Sequence, residues 1–559
     1  MEIDNSSLAD YLKLTAQLLE IRGENSFKVN AYSQAAFKID KYPESISQLI
    51  HQGRLGAVDG IGTSIKAALE EIVKNNSFTL LTELLDQTPA GILELLKIKG
   101  LGPKKVAVVW HQLGITTPGE LLYACIENRL LELKGFGQKT QENIKKAIEF
   151  LQASIGLAHF ASVAQEIKGW LPELEKLTEG RVWLSGEMRR ESPIIREVLI
   201  LLDSGTPQLL MDALVSSPRL TAVQQTDQGI KASLKISEIP VTLKIISEDI
   251  INELIISSAD PKHLEEVGIP LNEPLSTEEE WYAKADLPCI PPTQREGKGE
   301  VARARKVGIL PDIKPSDLKG VLHLHTRWSD GLNTLEEMAI AAQKLGYQYL
   351  GVTDHSKSAV YANGLSEGRV EAQQVEIQYL NKKLFPFKIF SGIEADILGD
   401  GSLDYSPEIL STFDFVIASI HSHLNMTEEK AMLRLLNAIE NPYTTILGHL
   451  TGRLLLARAG YPVNHKLIID ACANNNVVIE LNANPWRLDI DWEWISYAVE
   501  KGVKISINPD AHSIAGYQDI HWGISAANKS GVGSIPIFNT LSTAEIENWF
   551  TVKKNNAKK

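Results

Sequence analysis

The sequence predicts a multidomain chain with an α-helical N-terminal third, a middle region ending in a connector, and a C-terminal α/β barrel. Three observations carry this. Gly-x-Gly triplets recur between apolar-periodic helical stretches in the first 150 residues; a segment rich in proline, glycine and charge interrupts the chain at 287–317; and seven short apolar runs then alternate with amphipathic helical ones. At 559 residues the chain exceeds what one core supports. Its 44% apolar and 23% charged content is ordinary globular composition and excludes a disordered class. No apolar run approaches the roughly 20 residues that span a bilayer, and the N-terminus lacks a basic signal region, so the expectation is a cytoplasmic protein with no membrane partner. Cys125, Cys289 and Cys472 lie far apart with no C-x-x-C spacing, which excludes a disulfide framework and a thiolate zinc knuckle. Any metal site therefore uses nitrogen and oxygen ligands.

In the N-terminal third, Gly60-Ile61-Gly62, Gly100-Leu101-Gly102 and Gly135-Phe136-Gly137 recur every 35 to 40 residues. One such triplet is equally well read as a helix cap, but three in one region form the helix-hairpin-helix pattern. The glycines allow a tight turn and close approach of a phosphate, and the following helix offers unpaired N–H groups at its positive end. Gly60, Gly62, Lys66, Gly100, Gly102, Lys104, Lys105, Gly135, Gly137 and Lys139 are therefore the expected DNA contacts, gripping the sugar-phosphate chain without reading sequence. The net charge of -14 argues against nucleic acid only on average. Residues 1–150 hold 17 Lys and Arg against 18 Asp and Glu, so this region is near neutral and the excess acid lies later. Its affinity for DNA should be modest and fall with salt.

Residues 20–37, E-I-R-G-E-N-S-F-K-V-N-A-Y-S-Q-A-A-F, resemble the start of the lyase-type domain of bacterial family X DNA polymerases, and the hairpins continue that resemblance to about residue 150. The family's lyase lysine falls on Ala68, so lyase chemistry by that residue is not expected. Residues 183–202 (W-L-S-G-E-M-R-R-E-S-P-I-I-R-E-V-L-I-L-L) are similar to the family's palm motif, which implies an α+β nucleotidyltransferase-like palm and thumb. Aligning Gly186, Arg189 and Arg190 puts Glu197 and Leu199 at the first two catalytic aspartates and Thr242 at the third. Two-metal nucleotidyl transfer needs carboxylates bridging ions about 3.5–4 Å apart. Glu197 alone does not supply them, and Glu187 replaces a serine that would face the triphosphate. The thumb motif appears as Ser257-Ser258-Ala259. The reading is a polymerase fold kept for shape and DNA binding with its chemistry lost, unless a one-residue shift in register hides a substitute such as Asp203.

Beyond the connector, strands are expected near 320–323, 349–353, 388–392, 415–420, 444–448, 477–481 and 503–507, with helices such as 334–345 and 428–439 between them. That alternation predicts a parallel barrel whose active residues gather at the strands' C-terminal ends. His323, His325, Asp330, His355, Glu394, His421, His449, Asp510 and His512 fall there, six of the chain's 13 histidines among them. Imidazole with carboxylate suits zinc, manganese or iron. These nine residues match the ligand set of the PHP (polymerase and histidinol phosphatase) domain, which many bacterial family X polymerases carry at the C-terminus. The resemblance implies a distorted (β/α)7 barrel holding three divalent ions, Mn2+ or Zn2+ or else Fe2+. One ion would use His323, His325, Glu394 and Asp510; a second Glu394, His421 and His449; a third Asp330, His355 and His512. It implies metal-assisted hydrolysis of phosphodiesters, with Arg453 as phosphate clamp, and leaves His423, Asp354, Asp396 and Asp404 as supporting or surface groups.

The expected layout is a lyase-like domain with the first hairpin (1–85), a fingers-like hairpin pair (86–150), a degenerate palm (151–250), a thumb-like region and linker (251–318) and the PHP domain (319–559). The function that follows is a 3'-5' exonuclease of DNA repair acting on gapped or nicked DNA. The alternatives are a bifunctional gap-filling polymerase with exonuclease, a histidinol-phosphatase-like enzyme on small molecules, and a non-catalytic scaffold.

Overall fold

The computed structural model describes residues 3–58, 61–126, 129–203, 207–227, 229–246 and 249–557. Compactness divides the chain once, into Met1–Ile155 and Gly156–Lys559. Among the described residues no helix is long and apolar enough to cross a membrane.

The first unit is helical. Its apolar core draws on residues either side of the expected 85/86 boundary, from Leu8 to Ile148. Helices Thr63–Asn75, Pro103–Leu113 and Gln138–Ser154 each begin directly after the second glycine of a triplet, at Gly62, Gly102 and Gly137. Gly100 and Gly135 take φ of 86° and 92°, the left-handed region that a side chain disfavours, and so turn the chain into the next helix. Gly60 lies outside the described residues.

The second unit contains a five-stranded sheet in the order Val182–Ser185, Val198–Leu202, Pro240–Ile245, Gly229–Leu234, Leu220–Thr226. It also contains a seven-stranded sheet whose strands are neighbours in chain order: Gly320–Val321, Tyr349–Val352, Lys388–Asp396, Phe415–Ser419, Ile446–Leu447, Val478–Asn482 and Ile505–Asn508. Every pair in it is parallel. Apart from Lys388 at the start of the third, these strands are buried throughout, as parallel strands covered by helices on one side and a filled interior on the other must be. The ring closes through a parallel bridge between Leu324 and Ala511, with Leu322 N donating to Asn508 Oδ1 (3.1 Å) and His325 N to Ala511 O (2.9 Å). The helix Leu335–Lys344 starts on a reciprocal cap in which Thr334 and Glu337 bond each other's backbone, and Glu428–Glu440 starts on Thr427.

The segment read as a connector is folded. Leu287, Ile290, Val301 and Ala304 join Ile255, Val267, Trp281 and Tyr282 in a small core, and Arg295, with 0% exposure, pairs with Glu278 at 3.1 Å. Its prolines and glycines end short elements without loosening the chain, because apolar residues between them have a core to enter. Lys529, nearly fully buried, then bonds Arg190 O (2.7 Å) and Glu296 Oε1 (2.6 Å), tying the palm-like region to a barrel helix.

Candidate metal centre

The barrel carries its polar groups on the loops leaving the strand ends, where each strand's carboxyl edge opens to one mouth. His323 and His325 follow the first strand, His355 the second, and Glu394 lies in the third. His421 follows the fourth, His449 the fifth, and Asp510 and His512 the seventh. Gly448 sets the approach of the fifth: a Cβ there would stand 2.3 Å from Ser419 Oγ.

All nine residues converge. Glu394 is the hub, with Oε1 at 3.4 Å from His323 Nε2, 3.1 Å from His421 Nε2 and 3.0 Å from His449 Nε2, and Oε2 at 2.9 Å from His355 Nδ1 and 3.6 Å from His325 Nε2. Asp510 Oδ1 lies 3.5 Å from His323 Nε2 and 3.2 Å from His325 Nε2. Asp330 Oδ1 lies 3.8 Å from His355 Nε2 and 3.5 Å from His512 Nε2. Among the described residues, three donor groups are compact enough to share an ion: His323, His325 and Asp510; His355, Glu394 and His421; and His325, Asp330, His355 and His512. They differ from the expected sets: Glu394 falls outside the first, His355 takes the place of His449 in the second, and His325 joins the third as well as the first.

The chemistry of these donors fits cations. His323 Nε2, both ring nitrogens of His325, His355 Nδ1, His449 Nδ1, Glu394 Oε2 and Asp510 Oδ1 are buried with no hydrogen-bond partner. Native interiors seldom leave such atoms unmet, because each costs about 1–3 kcal/mol. Burial and the charges of His512 and His355 push the His325 pKa down to about 3, which keeps the lone pair of one ring nitrogen available. Burial alone would also depress His421 and His512. Glu394 and Asp396 instead push His421 up to about 10, and Asp330 and Asp510 push His512 up to about 9. Those carboxylates attract positive charge, whether protons or metal ions. The His512 side chain is 41% exposed and that of Asp330 30%, so the third group is the one open to solvent.

Outer partners fix the rings. His323 Nδ1 lies 2.7 Å from Glu480 Oε1, and His421 Nδ1 2.6 Å from Asp396 Oδ1. Glu480 also accepts from His449 N (2.8 Å) and Asn508 Nδ2 (3.0 Å). Such carboxylate–imidazole pairs orient metal ligands. Asp354 accepts from Thr326 and Ser329 and braces the loop carrying Asp330, and Asp404 accepts from Ser358 N. His423 is exposed. Sequence reasoning missed Glu480, although its signal was plain: a lone carboxylate within the apolar run Val477-Val478-Ile479-Glu480-Leu481.

Arg453 is not free to clamp phosphate. Its guanidinium donates to Asp491 Oδ2 (2.5 Å), Arg487 O (2.9 Å) and Leu488 O, so it braces the loop after the sixth strand. Arg487 on that loop reaches the centre instead, its Nε 3.8 Å from Asp510 Oδ2.

In the five-stranded sheet, Leu199 and Thr242 pair in register and Thr242 Oγ1 donates to Glu197 Oε1 (2.5 Å), so the three palm positions do meet, with one carboxylate among them. Asp203 pairs with Arg181 (3.4 Å) and lies six residues from Glu197, on the order of 20 Å along an extended strand. It does not substitute. Glu187 pairs with Arg196 (2.7 Å) and Arg189 with Glu278 (2.7 Å).

Among the expected DNA contacts, the helices after Gly62 and Gly102 have no side-chain cap, which leaves their first N–H groups to an external acceptor. Lys104, 86% exposed, sits 3.7 Å from Glu20. Lys105 Nζ donates to Gly100 O (3.0 Å) and lies over the Phe136 ring, bracing the second hairpin against the third. Lys66 is half-buried, Lys139 is exposed, and Ala68 is buried.

The family described as a helix-hairpin-helix domain matches residues 3–78, the SAM-like helix-hairpin-helix tandem matches 92–149, and the PHP domain matches 322–484. The chain is similar to the DNA polymerase/3'-5' exonuclease PolX of Bacillus subtilis (strain 168), with 32% identity over 96% of this chain and 97% of that protein. It is also similar to a probable phosphatase of Clostridium novyi (strain NT), at 26% identity over 35% of this chain and 80% of the other. A probable phosphatase of Clostridium acetobutylicum matches at 29% identity over 34% and 78%.

Proposed function

Because the chain belongs to the PolX family of DNA polymerase/3'-5' exonucleases, we propose that it is a metal-dependent phosphodiesterase that removes nucleotides from DNA 3' ends in repair, with its polymerase chemistry lost. The observation that carries this reading is the set of buried, unpartnered imidazole and carboxylate atoms at one barrel mouth. Three divalent ions, Mn2+ or Zn2+ or else Fe2+, would be held by the nine residues, Glu394 serving more than one of them. Such ions, when bound, lower the pKa of coordinated water toward neutrality and stabilise negative charge on phosphoryl oxygens.

The chain's own groups do the rest. Glu480 and Asp396 hold His323 and His421 in the ring orientation and tautomer that aim Nε2 inward. Arg487 stands beside Asp510 and offers a planar donor to a phosphate oxygen at the exposed side. The hairpins at Gly62, Gly102 and Gly137 grip the backbone of gapped or nicked DNA through helix N-termini, without base readout. Cytoplasmic DNA is the substrate pool this reading assumes. The similarity of about a third of the chain to probable phosphatases supports a second reading, hydrolysis of a small phosphomonoester resembling histidinol phosphate.

The test uses full-length protein with Mn2+ and a 5'-labelled primer on a one-nucleotide gap, with and without nucleoside triphosphates. A descending product ladder that His323→Ala with His325→Ala removes, and no extension, is expected. Undiminished degradation by the double variant overturns the hydrolase assignment, extension dependent on Glu197 overturns loss of the polymerase, and a strong preference for histidinol phosphate over DNA favours the second reading.

A further inference from the structure

The helix Glu367–Lys383, between the second and third strands, holds none of the nine donors, yet one stripe of it is spent on the barrel mouth. Arg369, Gln373 and Glu376 stand at positions i, i+4 and i+7, which share a helix face. All three act on the loop that carries Asp330. Arg369 Nη2 donates to Trp328 O, Nη1 donates to Asn363 O (2.8 Å), and the guanidinium lies over the Trp328 ring, 6.0 Å from its centroid. Glu376 Oε2 accepts from Trp328 Nε1 (2.6 Å). Gln373 Nε2 donates to Asp354 Oδ2 (2.6 Å), which also accepts from Thr326 Oγ1 (2.7 Å) at the start of the loop.

The donors differ in what holds them. Glu394 lies within a strand, His323 and His421 are each set by an outer carboxylate, and Asp510 accepts from Asn482 Nδ2 (3.0 Å). Asp330 has no such anchor. It is the one carboxylate of the solvent-open group, and apart from the imidazoles its carboxylate meets, among the described residues, the hydroxyl of neighbouring Ser329 (3.3 Å). Its place is therefore set by the loop backbone. That backbone also donates from Leu332 N to His512 O (2.7 Å), so a shift of the loop moves two donors of the same group. Trp328, two residues before Asp330, is where the helix takes hold. An indole N–H on a carboxylate with a guanidinium over the ring fixes a side chain in direction as well as in depth.

Resting on the metal-dependent reading, we propose that Arg369 and Glu376 are positioning residues for a single ion: through Trp328 they fix the Asp330 loop and so set the affinity of the solvent-open group, while the ions beside His323 and His421 depend on Glu480 and Asp396. A role confined to folding would lower stability without distinguishing one ion from another.

The experiment frees full-length protein of metal with a chelator, titrates it with Mn2+ in calorimetry and counts the bound ions by elemental analysis. Wild-type protein should take up three ions. In Glu376→Leu one of them should bind roughly 10–100-fold more weakly, the usual cost of losing an outer partner, with the other two at wild-type affinity. Glu376→Gln, whose amide oxygen still accepts from the indole, should restore the third affinity. Trp328→Phe lacks the donor and should reproduce the loss with Glu376 intact, which keeps the comparison open if the leucine disturbs folding. The two losses should not add when combined, because both remove the same bond. Wild-type affinity for all three ions in both Glu376→Leu and Trp328→Phe, equal weakening of all three, or a glutamine variant as weak as the leucine one overturns the positioning role. Uptake of fewer than three ions by wild-type protein overturns the three-ion reading and this one with it.

Discussion

In the five-stranded sheet, Glu197, Leu199 and Thr242 come together where a two-metal polymerase would gather carboxylates, and the single acid there accepts a hydrogen bond from the threonine. Around it Glu187 is held by Arg196, and Arg189 by Glu278. In the barrel, nine donors come together and seven of their atoms are buried without a hydrogen bond. Both regions keep the backbone that would present metal ligands. What separates them is whether the side chains have spent their bonding capacity on one another. Side chains that pair with one another leave little for a cation, whereas buried donors without partners are satisfied when cations bind.

The largest effect that sharpens this contrast should come from Glu480, which touches no substrate. Glu480→Gln removes the charge opposite His323 Nδ1, and metal affinity measured by titration should fall roughly 10–100-fold, the usual cost of losing such an outer partner. Unchanged affinity would mean the ring is oriented by packing alone. A smaller effect is linked to pH. His421 and His512, raised to about 10 and about 9, hold protons in the metal-free chain that coordination must expel. Their raised values stabilise the metal-free chain below the ordinary 6.5, and that contribution is lost as pH climbs through about 9 and about 10. The gain in Tm on adding Mn2+ should therefore widen with rising pH, with protons released in calorimetry in buffers of different ionisation heat. A gain that narrows above neutrality breaks the account. The smallest effect is expected in the palm. Glu197→Ala should leave the nuclease rate unchanged and stability within about 0.5 kcal/mol, as at an exposed surface position.

Much of the barrel was legible because strands buried on both faces read as continuous apolar runs, and because histidine is scarce enough that six at strand ends stand out. Local chemistry also marked the hairpins, whose glycines must turn through positive φ. What failed was long-range. Composition made 287–317 resemble a loose connector, yet whether Leu287 and Val301 are buried depends on Trp281 and Tyr282 being there to receive them. Arg453 sits near His449 in sequence, but its long side chain is captured by Asp491 and by carbonyls more than thirty positions further on. The exact partition of ligands among ions was hidden for the same reason, since His355 can face Glu394 or Asp330 according to how two strand ends lean together.

The ring closes between its first and last strands, and the donors near that seam come from both: His323 and His325 from one edge, Asp510 and His512 from the other. During synthesis the hairpins and the palm leave the ribosome well before residue 510, and domains fold as they emerge. A newly made chain can thus reach DNA before it possesses a hydrolytic centre, and one truncated ahead of its final strand never acquires it. On the proposed reading, hydrolysis therefore waits on the last strand of the ring.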